Sequence, residues 1–303
     1  MNITKLEQMY AVLQGAEKKN LVAVWANDSH TISAVSQAID LGIINGILVG
    51  DTNEIAKVCA EEKIDKLKFT LIHADTDTTA ASLAVQQITE GRGDILMKGL
   101  ISTDKYMRAI LNRDAGLLQP KSILSHVTVI ENAHYHKLLI VGDVAIIPKP
   151  DLMQKAAIAS YLIATAKALG LKKPKLAVIS ASEQILPALE SSIEAAILAK
   201  MGDRGQIKGA VVDGPLSLDA AIDKESALIK GIGGEVAGDA DCLLFPNLDA
   251  GNVFYKMNSK MSNAQMGAFV AGAKVPCVLS SRGDTTQTKL NSIALCAMLA
   301  ISK

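Results

Sequence analysis

Short apolar runs alternate with helix-spaced segments along almost the whole chain, and this alternation restricts the fold more than any other feature. Residues 21–26 (LVAVWA) and 46–50 (GILVG) are apolar runs closed by polar residues or glycine. Between them, residues 29–41 carry Ile32, Val35, Ile39 and Leu41 at roughly helical spacing. The pattern continues with a helix over 52–62, a strand over 69–73, a helix over 76–91, a strand over 94–98 and a helix over 102–113. Strands that are apolar throughout need cover on both faces, which crossover helices on a parallel sheet supply. Residues 124–142 depart from this rhythm. LSHVTVIE and KLLIVGD are joined there by a short link, which predicts an antiparallel pair. The alternation then resumes with a helix over 151–169, a strand over 175–180, a helix over 189–202 and a strand over 209–212. An apolar run at 241–245, a helix over 249–260, a strand over 275–280 and a helix over 284–303 complete it.

With 303 residues the chain exceeds one ordinary core and suits two domains. The expected class is therefore α/β, as two α/β halves with a cleft between them. Ligands of such sheets bind beyond the carboxyl ends of the strands, where helix N-termini point. Aromatic residues are only 3% of the chain, so the core must be built from Ala, Val, Ile and Leu. Lys plus Arg and Asp plus Glu number 31 each, which argues against a general polyanion binder and leaves room for a local basic pocket. Cys59, Cys242, Cys277 and Cys296 form no CxxC pair and read as the core of a protein from a reducing compartment. The opening MNITKLEQMY lacks an apolar stretch behind a basic start, and no run of about 18 apolar residues occurs. The expectation is a cytoplasmic protein with no membrane and no nucleic-acid partner. Neither GxGxxG after the first strand nor GxxxxGK[ST] is present.

Chemistry concentrates where strands run out. In LSSRGDTTQTKLNSIAL (279–295) an apolar strand ends at Ser280 and Ser281, and Arg282 and Gly283 turn the chain into a helix starting near Asp284. A hydroxyl, a guanidinium and free N–H groups at a helix N-terminus make an anion site, because the helix end attracts negative charge and Arg grips phosphate bidentately. The plainer reading is a well-capped helix, with Asp284 as N-cap and Gln287 completing a capping box. In DILMKGLISTDKYMRAIL (94–111) a strand ends at Lys98 and Gly99, Ser102 and Thr103 start a helix, and Arg108 lies further along it. Capping and solvation are the plainer account there. KMGDRGQIKGAVVDGPLSLDAAI (200–222) ends a strand at Asp213 and opens a helix near Ser217. In EVAGDADCLLFPNLDAGNVFYK (235–256), Gly238, Asp239, Asp249, Gly251 and Asn252 mark strand ends, although lone carboxylates in turns are usually turn formers. His134 and His136 flank Tyr135 without a third ligand nearby, so no metal site is expected.

Together, DGPLSLDAAI, VAGDADCLLFPNLDAGNVFYK and the SRG strand-to-helix turn resemble the phosphate acetyl/butyryl transferase family. The resemblance covers the chain from about residue 90 to the end, and more loosely before that. MKGLISTDKYMRAIL, LSHV, KMGDRGQIKGAVVDGP and SRGD followed by TKLNSIAL are most similar to its butyryl branch. The resemblance implies reversible exchange of a short acyl group between coenzyme A and inorganic phosphate. The small-molecule substrates are then acyl-CoA, phosphate and acyl phosphate. No metal or redox cofactor is implied, the CoA thioester being a substrate, and a homo-oligomer is expected. The implied fold is an isocitrate/isopropylmalate dehydrogenase-like architecture of two α/β domains with the active site in the cleft. Its first domain would be 1–124 plus 279–303 and its second 125–278. Residue by residue, Ser281 and Arg282 map onto the SRG turn and are expected to hold phosphate or the acyl carbonyl oxygen. Arg108, with Ser102 and Thr103 at the start of its helix, maps onto a phosphate or CoA contact. Lys98, Gly99, Ser125, His126, Asp213, Asn252 and Asn291 complete the expected site by position.

One departure matters. The acetyl branch carries an Asp, thought to act as base on the CoA thiol, where this chain has Thr288. Threonine cannot deprotonate a thiol at neutral pH. Asp284 is the nearest carboxylate: tied to N–H groups as a cap it is a poor base, and facing a desolvated cleft it is a better one. His126 is the other candidate, since an unperturbed imidazole titrates near neutrality. Both reaction directions pass through an oxyanion that Ser281, Arg282 and backbone N–H groups could stabilise by ~3 kcal/mol per donor. Three other readings stay open. An acetyl-specific enzyme of the same family is one, because one methylene changes binding by only ~1–3 kcal/mol. A decarboxylating dehydrogenase would need an aspartate cluster and a nicotinamide site, and neither is found. A non-catalytic sensor of acyl-CoA or acyl phosphate is the third, and Thr288 keeps it alive.

Overall fold

The computed structural model describes residues 2–112, 117–118, 122–279 and 284–302. After α1 (Gln8–Gln14) the chain alternates β1 (Lys19–Val24), α2 (Ser29–Asp40), β2 (Ile44–Gly50), α3 (Thr52–Glu61), β3 (Phe69–His73), α4 (Asp77–Thr89), β4 (Ile95–Lys98) and α5 (Thr103–Leu111). Capping oxygens fix where these helices start. Asp28, Asp51, Thr76 and Ser102 accept from the N–H groups of Thr31, Asn53, Thr79 and Lys105, donors that no intrahelical carbonyl can reach. Next come β5 (Ser125–Glu131), β6 (Leu139–Gly142), α6 (Leu152–Ala168), β7 (Lys175–Ile179), α7 (Glu190–Asp203) and β8 (Val211–Leu216). They are followed by α8 (Leu218–Ile222), α9 (Lys224–Ile229), β9 (Cys242–Leu244), α10 (Leu248–Lys260), β10 (Gln265–Ala271), β11 (Cys277–Val278) and α11 (Thr286–Ile301).

The chain forms two compact units, Glu7–Leu124 with Gly267–Lys303 and Met1–Leu6 with Ser125–Met266. In the first, the strand order is β3-β2-β1-β4-β11-β10, parallel except for the β10–β11 pair. Leu21, Val22 and Ala23 of β1 and Ile95, Leu96 and Met97 of β4 are fully buried. Helices cover them: α4 packs on β1 and β2, and α11 on β1, β4, β11 and α2. In the second unit the order is β5-β6-β9-β7-β8, with β5 and β6 antiparallel and the rest parallel. The register matters for function. Val24 lies opposite Lys98 and Val278 opposite Met97, so β1, β4 and β11 end on one edge, from which α2, α5 and α11 all start.

Several expectations are corrected. The return to the first unit falls at Gly267, not at 279, because β10 is a strand and pairs with β11 through Val270 and Cys277. The first six residues belong to the second unit: the Ile3 N–H donates to the Leu169 carbonyl at 2.9 Å and the Leu6 N–H to the Glu131 carboxylate at 2.7 Å. Strand β8 runs past Asp213 to Leu216. Among the described residues no helix is long and apolar enough to cross a membrane. All four cysteines are buried, and burial pushes the Cys242 and Cys296 thiols well above their ordinary value, away from thiolate chemistry.

Candidate active site

At the carboxyl edge of the first unit, β4 ends in Lys98, which is buried with its ammonium 3.3 Å from the Gly99 carbonyl oxygen. The Gly99 and Leu100 N–H groups donate to the Val24 and Trp25 carbonyls at 2.9 Å, holding this loop against the exit of β1. Trp25 turns there with φ of 54°, a conformation that costs a non-glycine residue energy and is found at constrained sites. Only glycine fits at position 99, because a Cβ would lie 2.6 Å from both the Val24 and the Trp25 oxygens. From this fixed loop Ser102 caps α5 through the Lys105 N–H at 3.3 Å, and Thr103 is its first residue. Tyr106 anchors the helix: it is fully buried, with its hydroxyl 3.2 Å from the carbonyl oxygens of both Leu96 and Val278. Arg108 points the other way, 78% exposed and paired with Asp104 at 3.0 Å.

Helix α11 rises from the same edge. Ser281 and Arg282, the pair expected to hold phosphate or the oxyanion, lie outside the described residues. The plainer reading of a capping box, with Asp284 as N-cap, is not what forms. Thr285 is the N-cap, extended at φ −67° and ψ 159°, and its hydroxyl accepts from the Thr288 N–H at 3.1 Å. The Thr288 hydroxyl in turn lies 3.1 Å from that of Thr285. Asn291, a residue of the expected site, lies further along the same helix. It is buried, with its amide oxygen accepting from Gln287 at 3.0 Å and from the Tyr10 hydroxyl, so it braces α11 against α1.

In the second unit, Ser125 and His126 open β5. Since β5 is antiparallel to β6, they stand beside the carboxyl end of β6, where a Cβ on Gly142 would come within 3.2 Å of the His126 carbonyl oxygen. Among the described residues the fully buried Ser125 hydroxyl has no hydrogen-bond partner, an arrangement that costs about 1–3 kcal/mol unless something else satisfies it. The His126 ring is buried, with Nδ1 3.4 Å from the Thr128 hydroxyl and its edge toward Tyr255. Just past Gly142, the buried Asp143 carboxylate accepts the N–H groups of Ala145, Ile146 and Ile147 at 2.8, 3.0 and 3.1 Å. One carboxylate thus orders the turn bearing Val144, whose carbonyl accepts from the Asn252 side chain at 3.0 Å. Ser125, His126 and Asn252 therefore gather at one edge, with Asp143 as the organiser that sequence reading missed. Its only signal is the Gly-Asp pair closing an apolar strand. Asp213 is not with them: it lies in edge strand β8, separated from β6 by β9 and β7, and accepts from the Gly214 N–H at 2.8 Å.

A cavity of ≈ 730 Å³ opens elsewhere on the second unit, beside His134, His136, Lys175 and Asp239. Asp239 is the centre of a paired charge cluster beside it. Asp239 meets Lys137 and His136 at 2.9 Å and also Lys175, while Lys137 reaches Asp241 at 2.7 Å. Burial pushes the Asp239 carboxyl up, and hydrogen bonds from Lys175 and Lys137 outweigh it, holding the group well below the usual carboxylate range. None of the expected site residues lines this cavity.

The family described as Phosphate acetyl/butaryl transferase matches residues 77–297. A phosphate butyryltransferase of Clostridium acetobutylicum is 40% identical over 301 residues, 99% of this chain and 100% of the relative. A phosphate acetyltransferase of Thermotoga maritima is 38% identical over 295 residues, 97% of this chain and 99% of the relative. Among solved structures, a branched-chain phosphotransacylase from Enterococcus faecalis V583 superposes with a TM-score of 0.82 at 28% identity, covering 93% of this chain and 99% of that one.

Proposed function

The chain belongs to the phosphate acetyl/butaryl transferase family, and on that premise we propose that it is a phosphate butyryltransferase. It moves a butyryl or similar short acyl group reversibly between coenzyme A and inorganic phosphate. The observation that carries this reading is the match along almost the whole chain to a relative of that name. In the acyl phosphate-forming direction a phosphate oxygen attacks the thioester carbonyl carbon. The carbonyl becomes a tetrahedral oxyanion, and as it collapses the C–S bond breaks, sulfur leaving with the electron pair and taking up a proton. No metal or redox cofactor enters, since the CoA thioester is itself a substrate.

Ser281 and Arg282 are assigned to the oxyanion or the phosphate, where each donor is worth ~3 kcal/mol. Lys98, Ser102 and Thr103 offer donors at the edge from which α11 also starts. Arg108 reaches a phosphate by exchanging Asp104 for it, which costs little because an exposed i,i+4 pair contributes only about 0.3–0.5 kcal/mol. Ser125, whose hydroxyl has no partner among the described residues, and Asn252 are the substrate-binding candidates of the second unit. Proton transfer at sulfur falls to Asp284 or His126. Replacing each in turn by Asn and Gln separates them, because only the true base variant loses turnover of acyl phosphate with CoA while keeping its substrate KM values. A homo-oligomer in the cytoplasm belongs to the same reading.

The test is phosphate-dependent release of CoA thiol across an acyl chain-length series. Turnover peaking at butyryl-CoA is the expected result. Preference for acetyl-CoA would favour the acetyl reading, which the Thermotoga maritima relative supports at 38% identity. No release with any acyl-CoA would sink the proposal and leave a sensor of acyl-CoA or acyl phosphate.

A further inference from the structure

Helix α7 packs on β7 and β8 through a buried face that includes Ser192, Ala195 and Leu198. Its other face is apolar in the middle and charged at both ends. Ile193 and Ile197 are 36% and 41% exposed, and Ile185, in the loop before the helix, is 62% exposed. With Met201 they line a groove of ≈ 470 Å³ whose walls also include Lys200 and Arg204. Positions 193, 197 and 201 are one turn apart, so this is a stripe along the helix and not a scatter of single side chains. A contiguous apolar stripe rimmed by charge marks a surface that another protein covers.

The charges are arranged about Ile197. Counting outward from it, Ile193 mirrors Met201, Glu194 mirrors Lys200 and Glu190 mirrors Arg204. A second α7 laid antiparallel, with Ile197 on the two-fold axis, therefore sets apolar against apolar and acid against base. Each contact then occurs twice. Helix-dipole preference places acid early and base late in any helix. It does not leave isoleucines in water between them. Glu194 is turned toward Lys155, so the outer Glu190–Arg204 contact carries the complementarity. Glu190 now meets Lys149 at 2.8 Å, with both side chains exposed, and such a pair contributes little that an exchange of partners would lose.

We propose that this face of α7 is a self-association surface, and that its occupant is α7 of a second copy, antiparallel about Ile197. The inference gives a surface to the homo-oligomer of the reading above and rests on that part of it alone. An unrelated partner would have no cause to match the mirrored order of acid, isoleucine and base. The helix, about 21 Å long, covers less by itself than the ~800 Å² per partner of a standard interface. Ile185, which lines the same groove, extends it.

Sedimentation velocity of the full chain supplies the test. The wild type should associate, and Ile197→Asp, which sets two carboxylates against each other on the axis, should raise the dissociation constant of this contact about 100-fold or more. Charge reversals read the register itself. Glu190→Arg and Arg204→Glu should each weaken association about tenfold, and the double variant should recover most of that loss, because acid again faces base across the axis. These exposed positions leave the core alone, so the reversals decide the matter even where Ile197→Asp fails to fold. A single cysteine adds geometry. All four native cysteines are buried, so a short bis-maleimide should link Ile197→Cys to its own copy. It should leave Ile229→Cys, at a 79% exposed position on α9, unlinked. A monomeric wild type would overturn the proposal. So would an oligomer indifferent to both reversals, or a double variant weaker than either single one. Failure of the parent reading looks different: the wild type would release no CoA thiol, and sedimentation would still judge α7.

Discussion

Between α6 and α7 in one unit, and at the start of α11 in the other, a lysine is buried to nearly the same degree, with opposite provision for its charge. Lys155 has Glu194 across from it, and the two side chains are 4% and 19% exposed. Lys289 has no such partner among the described residues. Depth and charge are alike, and the two differ in whether a carboxylate faces them. The Asp239 cluster resembles Lys155 in this, since Lys137, Lys175 and His136 all meet that one carboxylate. The Ser125 hydroxyl is buried and, among the described residues, has no partner, which fits its expected place at the site.

The largest effect that would sharpen this contrast belongs to Arg282. Arg282→Ala should lower kcat/KM about 10³-fold, equivalent to ~4 kcal/mol, while circular dichroism stays that of the folded protein. Near-normal turnover in that folded variant would remove Arg282 from the site. Next in size, Glu194→Gln places Lys155 in the position of Lys289 by deleting its counter-ion. Urea unfolding should show a loss of ~3 kcal/mol, as expected when one member of a buried pair is removed. A loss below about 1 kcal/mol would mean that this fold tolerates buried unpaired ammonium groups, and the comparison would break.

Smaller still, Asp239→Asn should cost about 1 kcal/mol of stability, because that carboxylate is partly exposed and solvent screens its pairs, and it should leave turnover untouched. Lost turnover would place the cluster at the site. The least effect concerns Asp219, whose carboxyl is held down to about 2 by Lys230 and then Ser217. Its folded value lies below the unfolded one, so its contribution is complete above about pH 4 and fades as pH falls toward 2. Lys230→Met should therefore flatten the acid limb of stability within that window. An unaltered limb would show that the Lys230 contact makes no difference there.

The sheet was legible from sequence where strands are long and apolar and helices carry their own caps. LVAVWA, DILMK and the LSHVTVIE–KLLIVGD pair became β1, β4 and the β5–β6 pair. MGAFVA was missed, although it is an uninterrupted buried run in β10, because small residues between glycines carry no strong strand signal. At the site, residue types at strand ends were legible and their partners were not. Thr285 rather than Asp284 caps α11, and which of two adjacent oxygens reaches an N–H depends on backbone angles that spacing does not encode. Asn291 was expected at the site by position, and its contacts with Tyr10 and Gln287 come from the fold rather than from spacing. The isolation of Lys289 could not be foreseen at all, since the absence of a partner is a property of the folded neighbourhood.

The return of the chain at Gly267 also bears on how the protein is made. Apart from Met1–Leu6, the second unit is one continuous stretch, whereas the first is divided between the two ends of the sequence. Domains usually fold as they leave the ribosome, the earliest first. Here the earliest must wait: β4 stays an open sheet edge, with β1 and β4 lacking the cover of α11, until β11 and α11 emerge last. Synthesis that stops before β10 therefore leaves the first unit without the strand and the helix that cover β4 and β1.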